Sequence, residues 1–362
     1  MMLGPILDIF RGKTVTIPPM DGALKANTAL DAAEIFLQAE APDNLCGYRG
    51  ALLYSAGNKV FVAEGSGAAP REVAQSDSLV TALAVSPSGE IAVGLDSGEL
   101  SVIGEDGIRR QLAAPDGLAC PTAMTFGPDG ALYLAEGSAT NRASNWSLDL
   151  MQRNASGSLW RLHPAGGSPP TCLAGDLGFP YGLMVQEDGR AVVVAESWRH
   201  RLVRIAGSGG GRPEPLLTKL PGYPARLAPA RDGGSWFALF APRNRLIEFT
   251  LLEDAYREEM IREVPRALWI APALASGVSF LEPLQCGGVK TMGIHKPWSP
   301  SRSYGLVVKL DRSLRPTASF HSRANGKRHG ITSVVEAAGR VFAAAKGGDV
   351  ILDLGPETGG GD

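Results

Sequence analysis

The chain has 362 residues, of which 44% are hydrophobic, with 35 Lys+Arg set against 37 Asp+Glu. That apolar share is enough for a sizeable core, and the near-balanced charge with no basic stripe argues against nucleic acid as a partner. Four widely spaced cysteines (Cys46, Cys120, Cys172, Cys286) form no CxxC pair, which argues against a zinc site or a disulfide scaffold and points to a reducing, cytoplasmic compartment.

Taken in order, the chain opens on MMLGPILDIFRGK, a short apolar patch interrupted by Asp8 and preceded by no basic residue. That is a poor signal peptide. No apolar run reaches the roughly 18–20 residues of a membrane span. Residues 1–30 are expected to wrap the surface, and AEIFLQ (33–38) to supply an outer strand that closes the last repeat onto the first.

Six strand-turn-strand units then follow one another: NLCGYRGALLYSAG, TALAVSPSGEIAVGL, TAMTFGPDGALYLAE, YGLMVQEDGRAVVVAE, ARLAPARDGGSWFALF and TSVVEAAGRVFAAA. The fourth is the clearest, with a turn at Glu187-Asp188-Gly189 between two apolar runs. Turn glycines fall at Gly50, Gly89, Gly130, Gly189, Gly233 and Gly339, and each unit runs on into further strands such as KVFVAE or HRLVRIAG. About four short strands per unit, repeated radially, predict an all-β six-bladed propeller over residues 31–354. A β-sandwich would show such strands without the long period.

Two stretches are too long for the period, residues 137–157 and 241–303, and are predicted to be lids. In the second, Leu252, Tyr256, Met260 and Val264 share i, i+4 spacing and predict one helix stopped by Pro265. Residues 355–362 (GPETGGGD) read as a disordered tail.

In a propeller the start of each inner strand faces the central axis. Seven or eight positions before the turn glycines lie Asp43, Thr81, Thr122, Tyr181, Ala225 and Thr332. The loops between second and third strands open on the same face, which puts Glu136, the segment Glu196–His200, Lys346 and both lids around one mouth. A small-molecule ligand is expected there.

Several runs carry a family likeness: LPGYPARLAPARDGGSWFALFAPRNRLIEF, GFPYGLMVQEDGRAVVVAESWRHRLVRI, SNWSLDLMQRNASGSLWRL and YGLVVKLDRSLRP with HGITSVVEAAGRVF. Together they span about residues 40–354 and resemble the strictosidine synthase-like propellers, within a superfamily that includes gluconolactonase-like and paraoxonase-like lactonases. The resemblance implies six blades and, in the lactonase branch, a calcium or other divalent ion on the axis held by acidic and amide side chains. Asp43 matches the first-blade carboxylate of that set, but Thr122, Tyr181 and Ala225-Arg226 stand where it has Asn or Asp. A hard divalent cation wants six or more oxygen ligands, several anionic. No cofactor is therefore expected, with Asp43 as the ligand should a metal bind. Plant strictosidine synthase uses a glutamate in the last blade; Thr332 matches that position.

The candidate site follows. Asp43 either hydrogen-bonds neighbouring backbone amides or acts as a general base with a raised pKa. His329, before the last inner strand, and His200, in a top loop, are the candidate acid/base partners. Tyr181 either fills the tunnel or donates to a substrate oxygen. Arg226 either pairs with Asp43 or Glu196 or clamps a substrate carboxylate. Thr122, Trp198, Glu196, Thr332 and Trp146 complete the expected substrate contacts, and His295 and Trp298 either pack the second lid or join them. The expected function is a metal-independent enzyme acting on a small cyclic organic substrate, with ester or lactone hydrolysis first. A lyase or condensing enzyme, a non-catalytic propeller that binds a ligand or serves as a partner platform, and a calcium-dependent lactonase are the alternatives; protein partners are left open.

Overall fold

The structure, a computed structural model, describes residues 16–166, 168–186, 189–277 and 301–357, with the backbone of residues 290–291 and 294–295. Six four-stranded antiparallel sheets are arranged in sequence order around one axis, as the repeat predicts. Their inner strands are Pro42–Tyr48, Val80–Val85, Pro121–Phe126, Pro180–Val185, Gly222–Pro229 and Ile331–Ala337. The turn glycines all take positive φ, between 66° and 88°. A side chain would strain that conformation, which is why glycine recurs there.

The ring closes on its own N-terminus. Glu34–Gln38 pairs antiparallel with Val350–Pro356, so the last blade is built from three C-terminal strands and one N-terminal strand. Residues leading into it lie along the outer strand of the fifth blade (Pro316–Ser322). Asn27 Nδ2 donates to Ser319 O at 2.9 Å, its Oδ1 accepts from His321 N at 3.0 Å, and Asp31 accepts from Ser322 Oγ at 2.8 Å.

The core lies between blades. The strand Ala191–Glu196 is buried along its whole length because period-2 alternation aims its side chains at two neighbours. Val192 and Val194 join Tyr133 and Leu159 of blade 3, while Val193 and Ala195 join Phe237 and Leu239 of blade 5. Blades are closest near the axis. A Cβ on Gly182 would lie 2.2 Å from Ala225 O and 2.8 Å from Arg226 Cα. Gly182→Ala is therefore expected to cost about 1–3 kcal/mol by forcing blades 4 and 5 apart, read as a lower urea midpoint.

Both long insertions carry helix. Residues Trp146–Met151 form one between the second and third strands of blade 3. In blade 5 there are two helices where the spacing predicts one: Arg245–Leu252, capped by Asn244 Oδ1 on Ile247 N at 2.8 Å, and Asp254–Glu263. Leu252 ends the first, Val264 caps the second, and Tyr256 is 51% exposed. The real inward face of the second helix is Arg257 and Met260, because the chain breaks at Glu253 and rotates the apparent stripe. The last strand extends through Pro356, two residues into the expected tail. Glu187 and Asp188, Trp298, Cys286 and the side chain of His295 lie outside the described residues. Among the described residues no helix is long and apolar enough to cross a membrane, and Cys46, Cys120 and Cys172 are free.

Candidate functional site

The site is made by a defect repeated in every blade. Each inner strand slips register against its second strand at the axial position, between Asp43 and Cys46, Val80 and Ala82, Pro121 and Ala123, Pro180 and Gly182, Pro224 and Leu227, and Ile331 and Ser333. A bulge leaves a residue out of the ladder and re-aims it. The residues left out include Thr81, Thr122, Tyr181, Arg226 and Thr332, which are free to address the axis.

They converge on one guanidinium. Arg226 of blade 5 donates through Nη1 to Asp43 Oδ1 at 2.5 Å (blade 1) and to Thr332 O at 3.5 Å (blade 6). Through Nη2 it donates to Thr81 O at 2.8 Å (blade 2) and Thr122 O at 2.9 Å (blade 3). Tyr181 of blade 4 lies with its ring centroid 4.7 Å from the guanidinium carbon, a cation–π distance. All six blades therefore meet at one side chain. Arg226 also borders a cavity of about 330 Å³ on the far side of the propeller, so its guanidinium plugs the central tunnel.

Asp43 is the counter-charge. Its Oδ1 also accepts from Thr332 Oγ1 at 2.8 Å and Asn44 N at 2.8 Å, and its Oδ2 accepts from Lys346 Nζ at 2.9 Å. Burial alone would raise its pKa, but the Arg226 and Lys346 charges and these hydrogen bonds bring it down to about 2. That corrects the expectation of a raised pKa: the carboxylate is ionised and nearly saturated with donors. Burial pulls against ionised Lys346 and Arg226 as well, yet Asp43 holds both above their ordinary values. Tyr181 is held neutral by burial and by the Asp43 charge.

Above this floor is a cavity of about 320 Å³. Its walls are aromatic: Phe179 and Trp198 stack at 4.4 Å, and Trp146 meets Phe240 edge-on at 5.4 Å. The two insertions are fastened around it. Asp149, buried in the first, accepts from Trp198 Nε1 at 2.7 Å and from Asn141 and Asn154 at 2.9 Å each. Ser144 is pinned to Asp96 by two bonds of 2.8 and 2.7 Å. Arg257 from the second insertion donates to Met151 O, and Arg266 to Asn145 Oδ1 at 2.8 Å.

Of the expected residues, Asp43, Tyr181, Arg226, Trp198 and Trp146 line this cavity; Thr122 and Thr332 support its floor. Glu196, His200 and His329 do not line it. Glu196 is fully buried on Arg199, Arg201 and Gly178 N, with bonds of 2.7 Å to Arg199 and 2.8 Å to Gly178. His200 adopts φ 48°, which turns its ring to Gly222 O at 3.2 Å and Glu248 at 3.4 Å. His329 is buried on Ser303 Oγ at 2.9 Å, Ser276 Oγ at 3.2 Å and Arg323 O at 2.8 Å. In this geometry neither imidazole faces the axial cavity. His329→Gln is expected to reduce stability while leaving ligand affinity at the axial pocket unchanged, measured by titration at matched folded fraction. Lys346, which the repeat places only at the mouth, belongs to the floor of the site, and Phe179 and Phe240, which no axial spacing marks, belong to its walls.

Burial depresses the pKa of His200 and His329, and that of His321 to about 4. A depressed folded pKa contributes stability above the unfolded value and loses it as pH falls. Unfolding free energy should therefore drop as pH falls from about 6.5 towards 4, before Asp43 and Glu248, both held at about 2, begin to protonate. Denaturant melts across that range check this.

The axial donor set does not fit a divalent ion. Asp43 is its one carboxylate, the Thr81 and Thr122 carbonyls already accept from Arg226, and two fixed cations stand within 3 Å of the Asp43 oxygens. Among the described residues no group of three or more His, Cys, Asp or Glu side chains is placed to hold a metal.

Fold and site together define a six-bladed propeller with an aromatic-walled axial pocket over a positively charged floor. The resemblance to the strictosidine synthase-like family is borne out by curated relatives. Strictosidine synthase-like 6 of Arabidopsis thaliana is 29% identical over 134 residues, 37% of this chain and 33% of that protein. The adipocyte plasma membrane-associated protein of Danio rerio is 27% identical over 127 residues, 34% of this chain and 30% of that protein. The chain thus spans about a third of the length of the curated relatives it matches. No family model matches it. Among solved structures, a gluconolactonase from Xanthomonas campestris aligns with TM-score 0.57 and 15% identity over 94% of both chains. Regucalcin, a calcium-binding protein from Agrobacterium tumefaciens, aligns with TM-score 0.54 and 14% identity over 95% of this chain and 96% of that one. A streptogramin B lyase aligns at 0.50 and 15%, over 88% and 96%. At these identities the likeness is one of fold.

Proposed function

We infer that the chain is a metal-independent small-molecule enzyme of the strictosidine synthase-like kind, whose axial pocket takes a small cyclic ester or lactone and hydrolyses it. The observation that carries this reading is the Lys346 ammonium beside Asp43 on the floor of an apolar cavity. A preorganised cation in a water-poor site stabilises the charge that develops on a carbonyl oxygen during acyl transfer. Asp43 Oδ2, which among the described residues accepts only from Lys346, has capacity left to hold a water. In the step itself the water oxygen adds to the acyl carbon, the acyl C–O bond breaks, one water proton passes to the departing alkoxide, and the other is released to solvent as the new carboxylic acid ionises. The product is a ring-opened hydroxycarboxylate. The two insertions act as lids, and a cytoplasmic location goes with the free thiols.

A second reading has specific support. Asp43 already accepts four hydrogen bonds and has a pKa of about 2, so it is a weak base, and the two candidate histidines lie elsewhere. A non-catalytic ligand-binding propeller would need no base. A panel of lactones, aryl esters and amine/aldehyde pairs separates the two. Turnover that falls in both Asp43→Asn and Lys346→Met supports the enzyme; saturable binding with no turnover of any compound supports the binder.

A further inference from the structure

We propose that the axial pocket selects planar organic anions, foremost aromatic carboxylates, and that Lys346 is the residue that holds their charge. This rests on reading the axial pocket as the ligand site, and is independent of whether hydrolysis occurs there.

The floor carries an unbalanced charge. Among the described residues, the ionisable side chains on the cavity wall are Asp43, Arg226, Lys346 and the neutral phenol of Tyr181. One carboxylate faces two cations, which leaves one net positive charge in a largely apolar enclosure. Such a charge is costly until it is paired, and an anionic ligand pairs it. A cationic ligand would add a second unpaired charge.

The two cations are not equivalent. Arg226 spends Nη1 and Nη2 on Asp43, Thr332, Thr81 and Thr122, and its side chain is 10% exposed. Its role is in the floor. An ammonium has three donors, and among the described residues Lys346 commits one, to Asp43 Oδ2 at 2.9 Å. Its side chain is 30% exposed and borders the cavity. The remaining N–H groups suit a carboxylate oxygen, with the short charge-assisted bonds such pairs form. The 3-10 turn Lys346–Gly348 fixes this placement. A Cβ on Gly347 would lie 1.9 Å from Leu274 O, so the turn packs directly against the second insertion.

The rest of the cavity selects for shape. Trp146, Phe179, Trp198 and Phe240 present ring faces and edges, which pair best with another ring at offset-stacked or T-shaped geometry. A volume of about 320 Å³ takes one or two fused rings with a short acidic arm. Under the hydrolytic reading this same class is the product, since ester or lactone cleavage releases a carboxylate beside Lys346. Product inhibition is then expected.

The test is calorimetric titration of matched sets that differ in charge on one frame: indole-3-acetate, indole-3-acetamide and tryptamine, with phenylacetate, phenylacetamide and phenethylamine beside them. The acid is expected to bind at least roughly tenfold more tightly than the amide, with the amine weakest. Lys346→Gln should abolish that preference and Lys346→Arg should keep it. Equal or tighter binding of the amide or amine, a preference that survives Lys346→Gln, or no binding by either set overturns the proposal. Acids that bind while no ester turns over would remove the hydrolytic reading alone. Neutral esters turned over while acids neither bind nor inhibit would remove this one alone.

Discussion

Replacing Arg226 by alanine is expected to lower the unfolding free energy by about 3–5 kcal/mol, the largest effect of any single change at the axis. The reason is asymmetric. The pair itself gives up much of its attraction to desolvation, but Asp43, 3% exposed, would keep Lys346 as its one counter-charge and lose its Arg226 bond, and the carbonyls of Thr81 and Thr122 would each lose a donor. Unpaired buried acceptors cost on the order of 1–3 kcal/mol each when no water replaces the donor. Two controls make the origin visible. Free guanidinium, at concentrations too low to denature, should restore part of the lost stability in Arg226→Ala and none in wild type. Arg226→Lys keeps the charge but lacks the planar fork that reaches several partners at once, so it should lie between the two. A double change, Asp43→Asn with Arg226→Met, should cost less than the sum of the singles, since both singles remove the same buried ion pair.

Lys346→Met is expected to lower kcat/KM for any ester or lactone the protein hydrolyses by roughly 10²–10³, with a much smaller effect on stability. Lys346 is part-exposed and its loss leaves Asp43 still bound to Arg226, Thr332 and Asn44 N. The split between kcat and KM is informative. If the ammonium acts on charge that develops in the transition state, kcat falls and KM for a neutral substrate moves little. If it only anchors a pre-existing anion on the substrate, KM rises and kcat is kept. Asp43→Asn should act in the same direction for a second reason. Without the carboxylate, burial and the nearby Arg226 charge both push the Lys346 pKa down, so the variant's remaining activity should fall as pH rises through a range where wild type is flat.

The propeller is legible in the sequence because its two determinants are local. Positive-φ turns require glycine at Gly50, Gly89 and their counterparts, and buried blades require apolar alternation such as Ala191–Glu196. The convergence of Asp43, Thr122, Tyr181, Arg226 and Thr332 is legible for a related reason: inner-strand starts share one axis whatever the side chains are. Arg226 against Asp43 was one of two pairings open to it, and charge complementarity at the axis selects it.

What the residues do not disclose is which way a loop side chain turns. His200 sits in the loop that borders the mouth, yet a left-handed backbone at φ 48° sends its ring outward to Glu248. Lys346 sits in the equivalent loop of blade 6 and turns inward. Nothing in either segment distinguishes them; the partner decides, and for His200 it is Glu248 on a helix within the second insertion. The pKa of Asp43 fails to be legible for the same reason. Burial was foreseeable, but its effect is outweighed by the charges of Arg226 and Lys346, 183 and 303 positions away in the chain. The helix pattern of the second insertion misleads because a break at Glu253 resets the phase of the stripe.

Arg226, held by Asp43, Thr332, Thr81, Thr122 and Tyr181, fills the axial position, so that the site is complete without a divalent ion. The most direct measurement is the thermal midpoint of chelator-treated protein with and without a large excess of calcium. A ligand bound to the native state alone raises the midpoint by an amount that grows with the logarithm of its free concentration above Kd. An unchanged midpoint for wild type is the predicted result. A calcium-dependent rise in wild type, removed by Asp43→Asn, would place a metal on the axis and contradict the account.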